Sequence, residues 1–426
     1  MIKYKNFIFK DYTFDETSGH LDLNYGYDDQ LDFHETYIFD FPFKDYDRSA
    51  LDKAIQLLFF IAGTSYYKMY LAPNIVIQKG QIDSRLSTFL NKTYQKGLGE
   101  FFYVNGLDPR TKINFPVNSE LLESVVSSTS SGQLIGLGGG KDSLLSVELL
   151  REQAKVATWS LNHRSQLSPL VDRVGLKHLW VERQWDPQIA QLNNQDAMNG
   201  HVPISAIFST VGAVIAMLSG YQDIVVSNES SASEPTLSYQ GMDINHQYSK
   251  SLEYEKDFQA ILLHSFGDSI RYYSLLRPFS ELRIAEFFSI YFDKYADVFS
   301  SCNRAFTIAE SHMFWCGQCA KCAFVFLILT PFIDREKLER LWHSRNLFRD
   351  PKMEGMYRRL LGIEGNKPLD CVGEVKEART AMRLASRIYP ELSKYEFEIP
   401  GDYDYKSWAE ASLPDSIFSL VEEKLA

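Results

Sequence analysis

Gln133-Leu-Ile-Gly-Leu-Gly-Gly-Gly-Lys-Asp-Ser143 is the stretch of sequence that decides the fold of this chain. A short apolar run leads into three consecutive glycines, and residues 144–150 continue with apolar side chains at helical spacing. The pattern predicts a strand, a glycine loop and the start of a helix. Such a junction favours an anion, because the helix start carries free N–H groups and glycine lets a phosphate approach the backbone.

Two common phosphate-binding motifs do not fit this loop. The P-loop requires a glycine where Ile135 stands and a serine or threonine where Asp142 stands. The dinucleotide fingerprint would begin at Gly136 and requires a glycine where Lys141 stands. Gly138-Gly-Gly-Lys-Asp-Ser143 instead resembles the Ser-Gly-Gly-x-Asp-Ser loop of the PP-loop ATP pyrophosphatases, with glycine replacing the first serine. The alternative is a glycine turn that binds no ligand.

The resemblance to PP-loop ATP pyrophosphatases implies a fold and a reaction. Members of that superfamily have a parallel, doubly wound α/β domain, the adenine nucleotide alpha hydrolase-like fold. They cleave ATP between its α and β phosphates and adenylate a carboxylate or a carbonyl oxygen. The resemblance implies an ATP site made by Gly138, Gly139, Gly140, Lys141, Asp142 and Ser143. In this site we expect Lys141 to offset charge on the leaving pyrophosphate and Asp142 to hold Mg²⁺, both with catalytic roles.

Composition restricts the class of protein and its partners. The chain has 426 residues, of which 45% are hydrophobic and 23% charged, as is typical of a globular protein with two or three domains. Its net charge of −11 argues against a nucleic-acid partner. The start of the chain lacks a signal-peptide core, and the longest apolar stretch, residues 206–218, is too short to span a bilayer. We therefore expect a cytoplasmic protein without a membrane partner; no feature of the sequence specifies an oligomeric state.

The chain divides into three predicted domains. Residues 1–130 begin with period-two alternation around Leu21–Tyr27, which predicts an antiparallel β-meander, and continue with helices near 51–62 and 84–96. The polar run Ser127-Ser-Thr-Ser-Ser-Gly132 marks the boundary. Residues 131–333 alternate strands and helices, as in a parallel sheet, and form the predicted PP-loop domain. Residues 334–426 form a predicted C-terminal helical region.

Four cysteines have the spacing of a metal site. A Cys-x-x-Cys-x-x-Cys run lies fourteen residues after an earlier cysteine, and the four residues are Cys302, Cys316, Cys319 and Cys322. In a reducing cytoplasm this spacing predicts a tetrahedral structural zinc site. The alternatives are an iron–sulfur cluster, unconnected buried thiols, or two thiols acting as the acid and base of an amino-acid epimerase. Cys371 stands apart in the sequence, and we expect it to be an ordinary core residue.

Several further blocks agree with one family. These are Phe60–Lys68, Asn199–Pro203, Ser227–Thr236, Asn245–Glu253 and Asp370–Glu374. Together with the loop and the cysteine run, they make residues 50–380 resemble the MurL family of UDP-N-acetylmuramoyl-L-alanyl-L-glutamate epimerases. The resemblance implies ATP- and Mg²⁺-dependent inversion of the terminal L-glutamate of a UDP-linked muramoyl dipeptide, with release of AMP and pyrophosphate, in peptidoglycan precursor biosynthesis.

Other functions are compatible with these motifs. A 7-cyano-7-deazaguanine synthase-like enzyme also combines a PP-loop with a four-cysteine site, and other PP-loop enzymes adenylate carboxylates. A nucleotide-sensing module without turnover is a third interpretation. The N-terminal domain and the C-terminal helices argue against the deazaguanine enzyme, which is near half this length.

The sequence suggests several acid–base and binding residues beyond the loop. Polar segments beside predicted helix starts or strand ends contain the candidates for the α-proton base, which are His201, Glu229, Glu234 and His246. We predict catalytic roles for His201, Glu229 and His246, and Glu229 has Mg²⁺ or ribose binding as an alternative role. Three cations could pair with substrate phosphates or carboxylates: Lys68, Lys250 and Arg283. The alternative for each is a solvated position at the surface.

Overall fold

The computed structural model describes residues 3–125, 130–307 and 310–425 of the chain. These residues form an α/β protein built on a nine-stranded mixed sheet, with a separate two-stranded ribbon. The strands are β1 (Asn6–Asp15), β2 (His20–Tyr27), β3 (Leu31–Asp40), β4 (Asn74–Ile77), β5 (Gln133–Gly136), β6 (Val156–Leu161), β7 (His178–Gln184), β8 (Asp223–Val226), β9 (Leu237–Tyr239), β10 (Met242–Ile244) and β11 (Arg271–Ser274).

Helices cover both faces of the sheet and make up most of the C-terminal part. They are α1 (Arg48–Ala62), α2 (Thr64–Tyr67), α3 (Ser84–Gly97), α4 (Gly99–Val104), α5 (Lys141–Leu150), α6 (Arg164–Val174), α7 (Gln188–Asn193), α8 (Ile204–Ser219), α9 (Leu252–Phe266), α10 (Glu281–Phe288), α11 (Phe292–Tyr295), α12 (Ala320–Leu329), α13 (Arg335–Arg340), α14 (Pro351–Leu360), α15 (Val375–Ala385) and α16 (Asp415–Leu425). Within the described ranges, no helix is both long and apolar enough to cross a bilayer.

Strand order places the glycine loop at the centre of the sheet. The order is β11-β8-β5-β6-β7-β3-β2-β1-β4. The five strands from β11 to β7 are parallel to one another. The chain runs outward from β5 through β6 and β7, then returns to β8 on the other side of β5. The sheet therefore reverses its strand order at β5, which is where α/β proteins bind ligands beyond the carboxyl ends of the strands.

The predicted meander is present, but it is part of the same sheet as the parallel strands. Strands β1, β2 and β3 pair antiparallel in sequence order, as predicted, and β3 pairs antiparallel with β7. The α/β class is as predicted, but the parallel strands and the antiparallel meander form one mixed sheet. Alternation along a strand shows that the strand exists but does not show which partner it pairs with.

A buried ion pair holds the junction between meander and parallel strands. Arg183 on β7 donates from Nε to Glu35 Oε1 on β3 over 2.7 Å, and from Nη2 to Ser65 Oγ over 3.0 Å. Both charged side chains are at most 1% exposed. One sheet contains strands from both sides of the first predicted domain boundary. The division into three domains stays a prediction. Residues 126–129 of the predicted linker lie outside the described part of the chain.

The sheet separates two hydrophobic cores. Leu134 and Ile224 point to a core that contains α1 and α8, whereas Ile135 and Val225 point to a second core that contains α5, α10 and α12. Successive residues of a strand face opposite sides, so the short apolar strands β5 and β8 supply both cores. Burial on both faces explains why these strands are continuous apolar runs and makes β5 a rigid base for the loop that follows it.

Candidate active site

The glycine loop has the geometry of an anion site. It joins β5 to α5, whose N-cap is Gly140, without a side-chain hydrogen bond to the first turn. Gly138 is exposed, and an added Cβ there would have no atom within 4 Å. Ser143 Oγ donates to Gly140 O over 3.1 Å. The loop thus leaves backbone space and the positive end of a helix dipole open to a ligand.

Gly139 is required by the backbone of the loop. Its φ is +90°, and an added Cβ would lie 2.9 Å from Phe306 Cζ and 3.0 Å from Ser300 O. Its carbonyl oxygen accepts a 3.0 Å hydrogen bond from Ser300 N. The glycine therefore allows the loop to pack directly against the segment that leads into the cysteine cluster.

The two charged residues of the loop differ strongly in burial. The Lys141 side chain is only 3% exposed, and its Nζ bonds both Asp142 Oδ1 and Glu281 Oε2. The Asp142 side chain is 24% exposed. Burial opposes ionisation of Asp142, but the charges of Lys141 and Lys321 outweigh it and hold its pKa below the usual value. Asp142 is therefore an ionised carboxylate fixed at the mouth of the loop.

Two buried glutamates lie behind the loop. Burial raises the pKa of Glu281 to about 7, although Lys141 opposes the shift. Glu377 accepts a hydrogen bond from Glu281 N over 2.8 Å, and burial together with the neighbouring charge of Glu374 raises its pKa to about 8. This contact attaches the start of α15 to α10, so the C-terminal part of the chain contributes to the site.

The structure brings together the two predicted histidines. His201 and His246 have ring centroids 4.7 Å apart, and Glu100 at the start of α4 contacts both. Burial lowers the pKa of His201 to about 4. Burial acts the same way on His246, but its bonds to Cys371 and Glu100 outweigh that effect and raise its pKa to about 9. One ring is therefore neutral and the other cationic at neutral pH.

The other predicted residues divide between the site and the surface. Glu229 is buried, and its charge acts on both Lys250 and Glu281. Glu234 is exposed. Arg283 pairs with Glu286 on its own helix, and its side chain is 19% exposed, so it is partly buried in a local ion pair.

Lys68 lies on the side of the site where His201 is found. Its Nζ donates to Asn199 Oδ1 over 3.1 Å and to Gly200 O. Burial lowers its pKa to about 8. It therefore anchors the segment that carries His201.

The four clustered cysteines have the geometry of a tetrahedral metal site. The Sγ atoms of Cys302 and Cys319 are 3.9 Å apart, and those of Cys316 and Cys322 are 3.8 Å apart. All four sulfurs lie within 4.8 Å of one another. Sulfurs bound tetrahedrally at about 2.3 Å from zinc are about 3.8 Å apart, so the cluster fits such an ion. The alternative of unconnected thiols is therefore wrong.

Backbone N–H groups complete the surroundings of the sulfurs. Gly317 N donates to Cys322 Sγ over 3.3 Å, and Cys322 N donates to Cys319 Sγ over 3.4 Å. These bonds favour thiolates, which are the form that binds metal. The cluster can thus hold a metal ion beside the segment that packs on the glycine loop.

Sequence reasoning missed several residues of the site. Cys371 is not an isolated core residue: its Sγ lies 3.2 Å from Lys250 Nζ and 4.0 Å from His246 Nε2. Glu100 and Lys321 were also missed, although Glu100 opens a helix and Lys321 lies inside the cysteine run. No local pattern distinguishes these residues, because they come from three distant parts of the chain.

A groove of about 1280 Å³ borders the loop. It lies over β3 and β7, and its lining includes Trp180, Arg164 and Phe306. Phe306 is also the side chain closest to a Cβ built on Gly139, so the groove and the loop share a wall. The groove is large enough for a nucleotide-sized ligand.

The fold and the site together define an α/β protein with an open glycine loop beside a cluster of buried charged residues. A model of the MurL N-terminal domain matches residues 1–275, and a model of the MurL C-terminal domain matches residues 298–394. The chain therefore belongs to the MurL family, as the sequence resemblance predicted, and not to the deazaguanine enzymes.

Curated relatives of the chain carry a single name. A protein of Xanthomonas oryzae pv. oryzae is 41% identical over 344 residues, which are 80% of this chain and 76% of the relative. A protein of Salinispora tropica is 36% identical, over 89% of this chain and 84% of its own length. One of a Micromonospora species is 35% identical, over 89% and 86%. Each is called UDP-N-acetyl-alpha-D-muramoyl-L-alanyl-L-glutamate epimerase.

Proposed function

We propose that this chain is an ATP- and Mg²⁺-dependent epimerase that inverts the terminal L-glutamate of UDP-N-acetylmuramoyl-L-alanyl-L-glutamate. The names of its relatives support the substrate and the reaction. The observation that supports ATP binding is the open glycine loop at the start of α5, with the ionised Asp142 beside it. Such a loop suits a polyphosphate with a bound cation.

Adenylation explains why an epimerase would consume ATP. The α-proton of a glutamyl residue beside an ionised carboxylate is hard to remove, because the product would be a dianion. A carboxylate oxygen would attack the α-phosphorus of ATP, pyrophosphate would leave, and the acyl adenylate would no longer carry the negative charge of the carboxylate. A side-chain base can then take the α-proton, and a proton returned to the other face gives the D-glutamyl product. Hydrolysis of the adenylate releases AMP.

The loop residues have distinct proposed roles. Backbone N–H groups of Gly138, Gly139 and Gly140 would bind phosphate, with the Ser143 hydroxyl nearby. Asp142 would hold Mg²⁺. Because Lys141 is already paired with Asp142 and Glu281, its charge would act on the pyrophosphate from behind the loop and would also position Asp142.

We further propose that the four-cysteine cluster holds a structural zinc ion. The sulfur–sulfur distances fit tetrahedral Zn²⁺ and not the larger separation that a multi-iron cluster imposes. The cluster lies close behind the loop, because Ser300 and Ser301 contact Gly139 and Gly140 and directly precede Cys302. A bound ion would thus stabilise the wall against which the loop packs, and the thiols would have no part in proton transfer.

Turnover assays test this function. With UDP-N-acetylmuramoyl-L-Ala-L-Glu, ATP and Mg²⁺ in D₂O, we expect AMP and pyrophosphate together with an α-deuterated D-glutamyl product. A nucleotide sensor would release no pyrophosphate, and an adenylating enzyme of another kind would form AMP without α-deuterium; either result contradicts the proposal.

A loop variant tests the role of ATP within that assay. Asp142→Asn should lower AMP formation by about 100-fold or more, because it removes one ionised ligand from the site. The variant should stay folded, because Lys141 keeps its bond to Glu281. Asp297→Asn, at an exposed ion pair on the surface, is the matched control and should keep full activity. Unchanged AMP release in Asp142→Asn would refute the assignment of the loop.

A further inference from the structure

Cys371 lies in a charged pocket formed by segments that are far apart in the sequence. Its Sγ accepts a hydrogen bond from Lys250 Nζ over 3.2 Å, and His246 Nε2 lies 4.0 Å away. The backbone carbonyl of Cys371 accepts a bond from Lys321 Nζ. Two lysines and a histidine, from the segment 246–250 and from α12, thus surround one thiol just before α15.

The orientation of His246 suits an interaction with the thiol. Its Nδ1 bonds the carboxylate of Glu100, so Nε2 is the nitrogen left to face Cys371. A nucleophile or base, an imidazole and an orienting carboxylate in this order form the arrangement that activates side chains in many enzymes. The Glu100 side chain is 14% exposed and the His246 side chain 12% exposed, so little water competes for these bonds.

The charges around the pocket favour the thiolate. Burial alone would raise the pKa of Cys371, but Lys250 and the bond to His246 outweigh it and lower the pKa to about 6. The pKa of Lys250 is raised by the thiol and by Glu229, against the effect of burial. Ionisable groups that act on this pocket from every side are Glu100, Asp142, His201, Glu229, His246, Lys250, Lys321 and Asp370.

The pocket adjoins the glycine loop. Lys321, which bonds the Cys371 carbonyl, also lies 3.9 Å from Glu281 Oε1, and Glu281 bonds Lys141 of the loop. Lys250 and Lys321 both act electrostatically on Asp142. A carboxylate adenylated at the loop would therefore lie beside the thiol and between two cations.

We propose that the Cys371 thiolate is the base that takes the α-proton of the adenylated glutamyl group. This inference rests on the proposed function. The sulfur electron pair forms an S–H bond as the Cα–H bond breaks, and the electrons of that bond move onto the acyl carbonyl oxygen as an enolate. A proton derived from water then reaches the opposite face of the α-carbon, and the thiol returns its own proton to solvent.

The groups that directly contact the Cys371 side chain cannot take this role themselves. Lys250 and His246 are cations at neutral pH, and Nδ1 of His246 bonds the Glu100 carboxylate. They are positioning residues that keep the thiol ionised, and the two lysines also offset charge on the enolate oxygen. Catalysis by a positioned base is worth about 10²–10⁴-fold in rate.

Exchange of the α-proton tests the base directly. Cys371→Ser should lower α-deuterium incorporation in D₂O by about 100-fold or more while ATP–pyrophosphate exchange, which reports adenylation, continues. Exchange at the wild-type rate in Cys371→Ser overturns the inference, as does a glutamyl thioester found on Cys371 by mass spectrometry of quenched wild-type enzyme. If the wild type itself forms AMP without α-deuterium, the proposed function fails instead.

The pH dependence tests the positioning residues. His246→Gln should move the acid limb of α-proton exchange to higher pH, because the thiol loses a cationic partner. A pKa moved from about 6 to the ordinary value of about 8.5 lowers the thiolate fraction at pH 7 by about 30-fold, which is the upper limit of the loss. Activity should recover near pH 9.

A second histidine provides the matched control. His264→Gln, at a histidine that contacts Asp83 away from the pocket, should leave the pH profile unchanged. A loss in His246→Gln that is equal at every pH overturns the assignment, because a purely structural defect would lower the rate without moving the limb.

Discussion

Gly138 and Gly139 offer a matched pair of substitutions that separates the fold of the loop from its function. Gly139 has a φ of +90°, and a Cβ there would meet Phe306 and the carbonyl oxygen of Ser300 at 2.9 and 3.0 Å. Gly138 does not have a positive φ, and a Cβ there meets no atom within 4 Å. Gly139→Ala therefore alters the folded protein, whereas Gly138→Ala only fills space in front of the loop.

The two substitutions should differ in stability. We expect Gly139→Ala to lower the free energy of unfolding by about 2 kcal/mol, within the range of about 1–3 kcal/mol for a residue held in a sparsely populated conformation. Gly138→Ala should leave that free energy unchanged or raise it by about 0.4–1 kcal/mol, because alanine restricts the unfolded chain. Urea unfolding followed by tryptophan fluorescence measures both.

The same two variants should behave alike toward ATP. The Gly138 methyl group occupies space that a bound phosphate needs, and the Gly139 methyl group displaces the loop from Phe306 and Ser300, so both should raise the KM for ATP in a pyrophosphate-release assay. Equal urea midpoints for the two variants refute the argument from backbone strain. Unchanged use of ATP by Gly138→Ala refutes the argument that phosphate approaches the backbone here.

Two further predictions concern the parts that support the site. Glu35→Ala should lower the free energy of unfolding by about 3–5 kcal/mol, because it leaves the buried Arg183 without its carboxylate partner. The control Asp40→Asn, at an exposed ion pair between β3 and the start of α6, should lower that free energy by less than about 1 kcal/mol. Similar urea midpoints for the two variants contradict the predicted difference. Removal of metal from the four-cysteine cluster by a chelator should lower the thermal unfolding temperature and slow pyrophosphate release. Addition of Zn²⁺ should restore both. A metal-free protein with an unchanged unfolding temperature contradicts the structural role of the metal.

Much of the local structure could be predicted from the sequence. The meander, the helix that begins after Asp47, and the strand, loop and helix around Gly139 all occur where the patterns place them. These features depend on period-two or helical spacing, on a capping side chain and on glycine, each of which acts over a few residues. The four-cysteine cluster was predictable for the same reason, because three of its members lie within seven residues.

The pairing of distant elements could not be predicted in this way. Nothing near Phe39 indicates that β3 pairs with β7, since an alternating strand presents the same pattern to any partner. Lys141 shows the same limit within the site. A lysine after a glycine loop suggests an exposed cation, yet Glu281, 140 residues further on, binds and buries it.

The sequence by itself determined the glycine loop, the cysteine cluster and the family, because each depends on residue types at short, fixed spacings. Only the tertiary structure decided which residues form the charged pocket around Cys371 beside the loop. His246 and Lys250 were only separate candidates in the sequence, and no pattern indicated a role for Glu100 or Cys371. The chemistry of these four residues comes from contacts within 4.0 Å across 271 residues of chain. The ionisation of a thiol depends on the charges and burial around it, which are set by packing and not by neighbours in the sequence.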